Sequence, residues 1–185
     1  MTFVIIARQI DLSVASIIAV SSCVLGYTTS LGYDTWLVIS LTLLSGAICG
    51  AFNGAIITKF AIPSIIVTIG TMSLFRGLAY SFLEDSYYNK FPKLVSNLGG
   101  GYLFGYIPYA FLTFIILAII FAFILHKTSV GKKIYSIGNN PDAAQYTGIA
   151  VDKYTFVLFT LNGLFSALAA IFLSGRLSSV RPNIA

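Results

Sequence analysis

Long apolar runs, separated by short polar breaks, constrain this chain more than any other feature of its sequence. The run AFLTFIILAIIFAFIL, residues 110–125, contains no charged residue and no glycine. A helix needs about 20 predominantly apolar residues to cross the hydrocarbon core of a membrane. Hydrophobic residues make up 57% of the 185 residues and charged residues 9%, whereas an ordinary soluble domain has about 25% charged residues. The sequence therefore predicts a polytopic membrane protein and excludes a soluble, disordered or collagen-like chain.

Five apolar runs are bounded by charged or turn residues and are predicted to be membrane-spanning helices. They cover Leu12–Tyr33, Thr35–Thr58, Ala61–Leu83, Phe104–His126 and Tyr154–Ser174. The predicted fold class is therefore all-α, a polytopic transmembrane helical bundle of about five spans that forms a single domain, residues 1–185. The break at Tyr33-Asp34 is so short that the first two spans should form a tight hairpin.

Two polar stretches, residues 84–103 and 127–153, are predicted to be loops on opposite sides of the membrane. Alternation of the spans places Arg8, Lys59, Lys127, Lys132, Lys133 and Lys153 on one side, and Lys90, Lys93, Arg176 and Arg181 on the other. Cytoplasmic loops carry an excess of lysine and arginine. Residues 127–153 are therefore predicted to be cytoplasmic and residues 84–103 extracytoplasmic. The net charge of +5 marks a membrane face and does not indicate a nucleic-acid partner.

Small residues form a stripe along the second predicted span. Gly46, Gly50 and Gly54 recur at every fourth position, so they line one helix face where another backbone can approach closely. Helix packing is the simpler interpretation, and a stripe that flanks a translocation path is the alternative. Asn53 lies beside the stripe and should either bond a neighbouring helix or face a wet cavity.

Two charged residues lie in or beside the apolar spans. Arg76 is about two-thirds of the way along the third span, where a charge costs about 2.5–3.5 kcal/mol on insertion scales, so it should face protein or water. Snorkelling of its side chain toward the headgroups is the alternative. Asp11 is near the inner end of the first span, so its pairing with Arg76 would need a broken or re-entrant segment. Ser13 and Thr68 join the same candidates for a translocation path or helix packing.

The sequence around Asn140 predicts a short helix in the cytoplasmic loop. Asn140 is a favourable N-cap, Pro141 fits the first helical position, and Asp142 complements the positive end of the helix. Gly148 can close the helix in the left-handed conformation. A helix of about two turns is marginal in water by itself, so it needs a docking surface. That surface is either a partner protein or the membrane domain of the chain itself.

Catalytic and metal-binding patterns are absent from the sequence. It contains no HExxH, GxSxG or GxxxxGK[ST] motif, and its single histidine, His126, ends the fourth predicted span. Cys23 and Cys49 both lie in apolar stretches, which indicates neither a disulfide nor a metal site. The chain is therefore predicted to have no enzymatic activity and no cofactor of its own. Any ATP that it uses should bind to another chain.

An ordered set of motifs resembles the ribose-type importer permeases of the ATP-binding cassette (ABC) class. The set consists of residues 10–14 (IDLSV), 53–58 (NGAIIT), 62–72 (IPSIIVTIGTM), 76–77 (RG), 131–141 (GKKIYSIGNNP), 143–144 (AA) and 148–149 (GI). The resemblance implies the permease subunit of a bacterial ATP-driven importer for sugars of the ribose, rhamnose or autoinducer type, in the inner membrane. Such permeases pair with an identical or related permease, receive substrate from a periplasmic binding protein and rest on two cytoplasmic ATPases, which hold ATP and Mg²⁺.

Carried onto this chain, the resemblance implies that residues 141–148 form the helix that sits in the ATPase groove. The residues implied in this coupling are Gly131, Gly138, Asn139, Asn140, Pro141, Asp142, Ala143, Ala144 and Gly148. The extracytoplasmic loop, residues 84–103, would meet the binding protein. The family usually has two glycines where this chain has Arg8-Gln9.

The chain is shorter than the permeases that it resembles, which have further spans before residue 10 and after residue 185. It is therefore expected to be a fragment, a split-gene product or a truncated chain. Two other functions remain open. One is an ion- or proton-coupled secondary transporter that uses Asp11 and Arg76, although such carriers often need several membrane-embedded acids. The other is a truncated remnant that transports nothing.

Overall fold

The computed structural model describes residues 1–83, 88, 91–177 and 179, which form nine helices and one short hairpin. The helices are α1 Thr2–Ile6, α2 Val14–Ser30, α3 Thr35–Phe60, α4 Ser64–Leu83, α5 Lys93–Gly100, α6 Tyr109–Lys127, α7 Ser129–Asn139, α8 Pro141–Tyr146 and α9 Val151–Leu177. The hairpin pairs β1, Tyr102–Leu103, with β2, Ile107–Pro108, in antiparallel register between α5 and α6. The predicted all-α class is confirmed.

Four helices, α3, α4, α6 and α9, are long and apolar enough to cross a membrane. Helix α2 is also apolar but has 17 residues. At 1.5 Å per residue it is about 25 Å long, which is at the lower limit for a membrane span. Within the described residues, the predicted bundle of about five spans therefore consists of four long helices and one of minimal length.

The predicted start of the fourth span was wrong, and α2 and α4 begin slightly after the approximate starts predicted for the first and third spans. The first helix of the bundle core, α2, begins at Val14 and not at Leu12, because Asp11 and Ser13 bond each other through their side chains in a non-helical segment. The fourth begins at Tyr109, since Phe104 lies in the turn of the hairpin with a φ of 51°. Residues 104–107, which were predicted to start the span, therefore belong to the turn and the second strand of the hairpin.

Both predicted loops contain helices that the sequence argument did not identify. Helix α5 lies within residues 84–103, of which residues 84–87, 89 and 90 are outside the described part of the chain. Helix α7 lies within residues 127–153 and buries Gly131, Ile134 and Ile137, which recur every three residues along one face. Lys90 and Arg181, which were counted in the charge balance, also lie outside the described residues.

Helices α3 and α9 form the centre of the bundle, with α2 packed against both and α4 packed against α2. The link between α2 and α3 is the predicted tight hairpin, and the carboxylate of Asp34 accepts a hydrogen bond from the Trp36 N–H at 3.1 Å to cap α3. Helix α6 lies at the edge of the bundle and buries only Leu125. Its apolar surface is suited to contact with lipid.

Candidate translocation and coupling sites

The chain is non-helical between α1 and α2, from residue 7 to residue 13, within a bundle of apolar helices. Ile10 donates its N–H to Ser64 Oγ at 3.0 Å, and Thr68 Oγ1 donates to the Ile10 carbonyl at 3.3 Å. Non-helical backbone is tolerated at membrane depth only where protein or water satisfies its polar groups. The start of α4 therefore supplies the hydrogen bonds that the missing helical turn cannot supply.

Arg8, in this non-helical segment, has a φ of 59°. A side chain in this left-handed region costs about 1–2 kcal/mol, and glycine avoids that cost. The resemblance noted above placed two glycines at this point of the family pattern. The backbone turn explains why glycine suits the position.

Four buried polar residues join this segment to the centre of the bundle and are named the Asp11 cluster: Asp11, Ser13, Asn53 and Asn162. Asp11 Oδ1 accepts hydrogen bonds from the Ser13 N–H at 2.9 Å and from Ser13 Oγ at 2.6 Å. Asn162 Nδ2 of α9 donates to Asp11 Oδ2 at 2.7 Å, and Asn53 Nδ2 of α3 donates to Ser13 Oγ at 2.8 Å. The cluster therefore connects the chain break to both central helices.

Both oxygens of Asp11 have hydrogen-bond donors although the residue is only 1% exposed. Burial of a polar group is unfavourable unless the group is hydrogen-bonded, so these donors offset part of the cost of burying the side chain. Asn53 Oδ1 is buried without a partner among the described residues. This arrangement can hold the break in place and leaves one acceptor for a further donor such as water.

The glycine stripe predicted on α3 lies against α9. A Cβ atom added at Gly50 would meet the Phe159 carbonyl oxygen and lie 3.0 Å from the Gly163 Cα. One added at Gly54 would lie 3.1 Å from the Phe156 Cα. The two helix backbones are therefore in close contact along this stripe, which is helix packing, the simpler of the two interpretations.

Arg76 is not part of the Asp11 cluster. The Asp11 carboxylate is bonded by Ser13 and Asn162, whereas the Arg76 side chain is exposed on α4. Its neighbours Phe75 and Ala79 are buried on the α2-facing side of the same helix. The structure therefore brings Asp11, Ser13, Asn53 and Thr68 to one place and leaves Arg76 outside it.

The predicted short helix around Asn140 is present as α8. Asn140 Oδ1 accepts a hydrogen bond from the Ala143 N–H at 3.1 Å, Pro141 occupies the first turn, and Asp142 is in the same turn. Gly148 has a φ of 85°, the left-handed conformation expected after the helix. Both ends of α8 are therefore formed as the residue types predicted.

Helices α7 and α8 are attached to the membrane bundle by their small and apolar residues. Ile134, Ile137 and Ala144 are buried in one apolar cluster with residues of α1, α3, α4 and α9. A Cβ atom at Gly131 would meet the Leu125 carbonyl oxygen, and one at Gly138 would meet that of Ile6. These contacts supply the docking surface that a helix as short as α8 requires.

One face of this attached pair of helices is free of contacts with the bundle. Asn139, Asp142, Ala143 and Tyr146 are exposed, and Tyr146 is 93% exposed. A large aromatic side chain held out from a rigid platform is suited to insertion into a pocket of a partner. The side of α8 that packs on the bundle, at Ala144, and its exposed side, at Tyr146, therefore face in different directions.

Sequence reasoning missed Asn162 and Ser64, which complete the hydrogen bonding around residues 10–13. Asn162 is a polar residue in the middle of an apolar span, and the argument applied to Arg76 could have identified it. Within the part of the chain that the structure describes, no three His, Cys, Asp or Glu residues are grouped so as to hold a metal ion. Cys23 and Cys49 are free thiols.

The structure is that of a multi-pass membrane protein, since four of its described helices are long and apolar enough to span a membrane. The buried, hydrogen-bonded break between α1 and α2 is a feature also found in transporters. The chain belongs to the family described as the branched-chain amino acid transport system permease component, whose model matches residues 1–185. No solved structure gives a significant match.

Curated relatives cover nearly the whole of this chain. The ribose import permease protein RbsC of Haemophilus influenzae is 35% identical over 99% of this chain and 58% of its own length. The autoinducer 2 import system permease protein LsrC of Escherichia coli O9:H4 is 33% identical over 98% of this chain and 53% of its own length. LsrC of Photorhabdus laumondii is 32% identical over 98% of this chain and 54% of its own length. The chain therefore spans about half the length of these relatives.

Proposed function

We propose that this chain belongs to the membrane-spanning permease subunit of an ABC importer that carries a monosaccharide or related small sugar across the bacterial inner membrane. The names of the relatives, ribose and autoinducer 2 import permeases, support the sugar substrate. The chain itself guides the sugar and performs no chemistry. ATP and Mg²⁺ are held by a partner ATPase.

The exposed face of α8 is the observation that carries this proposal. The helix is capped by Asn140, anchored by the buried Ala144 and presents Tyr146 outward. Lys127, Lys132 and Lys133 precede it in sequence and Lys153 follows it, which favours the cytoplasmic side. A cytoplasmic ATPase that binds this face would pull α8 together with α7. Because α7 packs on α1, the movement would reach the chain break that contains Asp11.

Two other partners are proposed, a periplasmic binding protein at the opposite end of the bundle and a second permease beside it. Residues 84–103, which include α5, would face the periplasm with the adjoining hairpin and receive sugar from a binding protein. A second permease, identical or related, would complete the path across the membrane. The family description names branched-chain amino acids, so uptake of labelled ribose and of labelled leucine should be compared in the same cells. Uptake of leucine alone would contradict the sugar assignment.

Coupling through α8 can be tested by replacing its exposed aromatic residue. Tyr146→Ala should reduce co-purification of the ABC ATPase co-expressed with the chain by roughly tenfold, because an exposed tyrosine that becomes buried in an interface is frequently a hot spot. Tyr106→Ala is the matched control, since Tyr106 is 89% exposed at the hairpin. Ala143→Asp and Gly148→Pro should also weaken the complex. Equal co-purification with all four variants would refute the coupling role.

The alternative of an ion- or proton-coupled carrier is favoured by one observation, the burial of Asp11 beside a broken helix. Asp11 is the only buried carboxylate among the described residues, and both of its oxygens are hydrogen-bonded. Uptake that survives ATP depletion and collapses with an uncoupler would support the carrier. We expect the opposite pattern. Failure of the chain to complement a permease deletion under either condition would support a non-transporting remnant.

A further inference from the structure

A crevice separates α6 from the rest of the bundle. It consists of two cavities of about 610 and 690 Å³, each within the range of roughly 300–1,000 Å³ found for small-molecule sites. The two cavities share Phe3, Phe121, Leu158 and Leu161 as lining residues. They are therefore neighbouring parts of one crevice between α6 and α9.

The first cavity is long and apolar. On α6 its lining extends from Ala110 to His126, which is most of the length of that helix. Phe121 of α6 contacts Phe165 of α9 edge to face, with ring centroids 4.9 Å apart, and contacts Phe3 of α1 in the same way at 5.2 Å, so an occupant lies beside these rings and not between them. A narrow apolar space along a membrane helix suits a hydrocarbon chain.

The second cavity is basic at the end beside α7 and α8. Lys133 and Lys153 line it, and both side chains are exposed. Lys133 Nζ lies 5.7 Å from the centroid of the Tyr154 ring, which also lines this cavity. Asp152, the acid next to Lys153 in sequence, does not line the cavity. The mouth of the crevice therefore presents two positive charges beside an apolar interior.

We propose that this crevice binds an anionic phospholipid. Its acyl chain lies along α6 against Phe121 and Phe165, and its phosphate contacts the ammonium groups of Lys133 and Lys153. Basic pockets between membrane helices attract anionic headgroups in this way. The two lysines that line the second cavity favour an anionic headgroup over a purely apolar occupant, such as a further membrane helix. Because Gly148 and Ile149 also line the second cavity, the lipid would contact the segment that follows α8.

The test measures lipid retention by the purified chain with native mass spectrometry. Phosphatidylglycerol and phosphatidylcholine with identical acyl chains are added separately. We expect phosphatidylglycerol to be retained preferentially, and Lys133→Gln with Lys153→Gln to weaken it by about fivefold for each lysine removed. Lys132→Gln is the matched control, because Lys132 is an exposed lysine of α7 that does not line the crevice.

Two further variants test the apolar part of the site. Ala118→Phe should displace the lipid because Ala118 lines the first cavity, whereas Ile119→Phe should not, because Ile119 is 64% exposed and outside the lining. Equal retention of the two lipids, equal effects of the lysine variants and Lys132→Gln, or competition by inorganic phosphate alone would overturn the proposal. A photoreactive residue at position 118 that cross-links a protein helix in membranes, and no lipid, would also overturn it. None of these measurements uses ATP or a sugar, so their failure leaves the proposed function untouched.

Discussion

Asp11 shows how a single carboxylate is kept inside an apolar bundle. An ionised carboxylate transferred from water to a low-dielectric interior loses its hydration, so it must be paired or hydrogen-bonded. Here two donors come from Ser13, its neighbour in the chain, and the third comes from Asn162 of α9, 151 residues away in sequence. The long-range bond makes the position of the chain break dependent on the position of α9.

Exchange of Asp11 and Asn162 tests whether the chain break depends on α9 in this way. Asn162→Asp would bring two carboxylates together, and we expect it to lower the free energy of unfolding by about 2–3 kcal/mol through lost bonding and like-charge repulsion. Asp11→Asn combined with Asn162→Asp restores one donor and one acceptor across the pair, so it should recover part of this loss. The measurement is the midpoint of unfolding in a titration with sodium dodecyl sulfate. A double variant that is less stable than Asn162→Asp would contradict the bond.

At the scale of elements, residue spacing predicted the helices that are independent of distant contacts. The starts of α3 and α8 follow from the N-caps Asp34 and Asn140, whose side chains accept hydrogen bonds from the first turns of their own helices. Helix α7 was missed because its apolar residues, Ile134 and Ile137, are few and are buried by the ends of other helices. Local signals therefore predicted where these helices start. The amphipathic helix α7 could not be predicted in this way, because its apolar face is defined by the helices that bury it.

The α3–α9 contact gives a prediction at the same scale. Gly50→Ala should lower the free energy of unfolding by about 1–3 kcal/mol, because the added methyl group would overlap the α9 backbone. Gly70→Ala on α4 is the matched control, since a Cβ atom there would meet nothing within 4 Å. We expect Gly70→Ala to be neutral or slightly stabilising, given the higher helix propensity of alanine. Equal destabilisation by the two variants in thermal unfolding of the purified chain would count against the close contact.

At the scale of the whole molecule, the bundle has two different ends. One carries α7 and α8 with four lysines nearby, and the other carries α5 and the β1–β2 hairpin. The bundle between them is apolar on its surface and buries polar side chains in its interior, among them the Asp11 cluster. This is the arrangement expected when lipid surrounds the helices and function lies at the ends and inside.

The orientation of these ends can be measured in intact cells with a membrane-impermeant maleimide. Tyr106→Cys should be labelled from outside, because the hairpin is expected to face the periplasm. Tyr146→Cys should react only after the cells are permeabilised, because lysine-rich segments stay in the cytoplasm. The unaltered chain is the control, since Cys23 and Cys49 lie within α2 and α3. Labelling of Tyr146→Cys alone in intact cells would reverse the assigned orientation.

The sequence by itself determined the membrane class, the approximate positions of the long helices and the capped helix α8. These properties depend on apolar run length and on contacts between residues a few positions apart. Only the tertiary structure decided that Asp11 meets Asn162, that α7 packs on α1, and that a crevice with a basic mouth lies between α6 and α9. Such contacts join residues far apart in the chain, and many arrangements of the same apolar helices satisfy the hydrophobic pattern equally well. The particular arrangement depends on where small residues allow backbones to approach and where buried polar groups find partners.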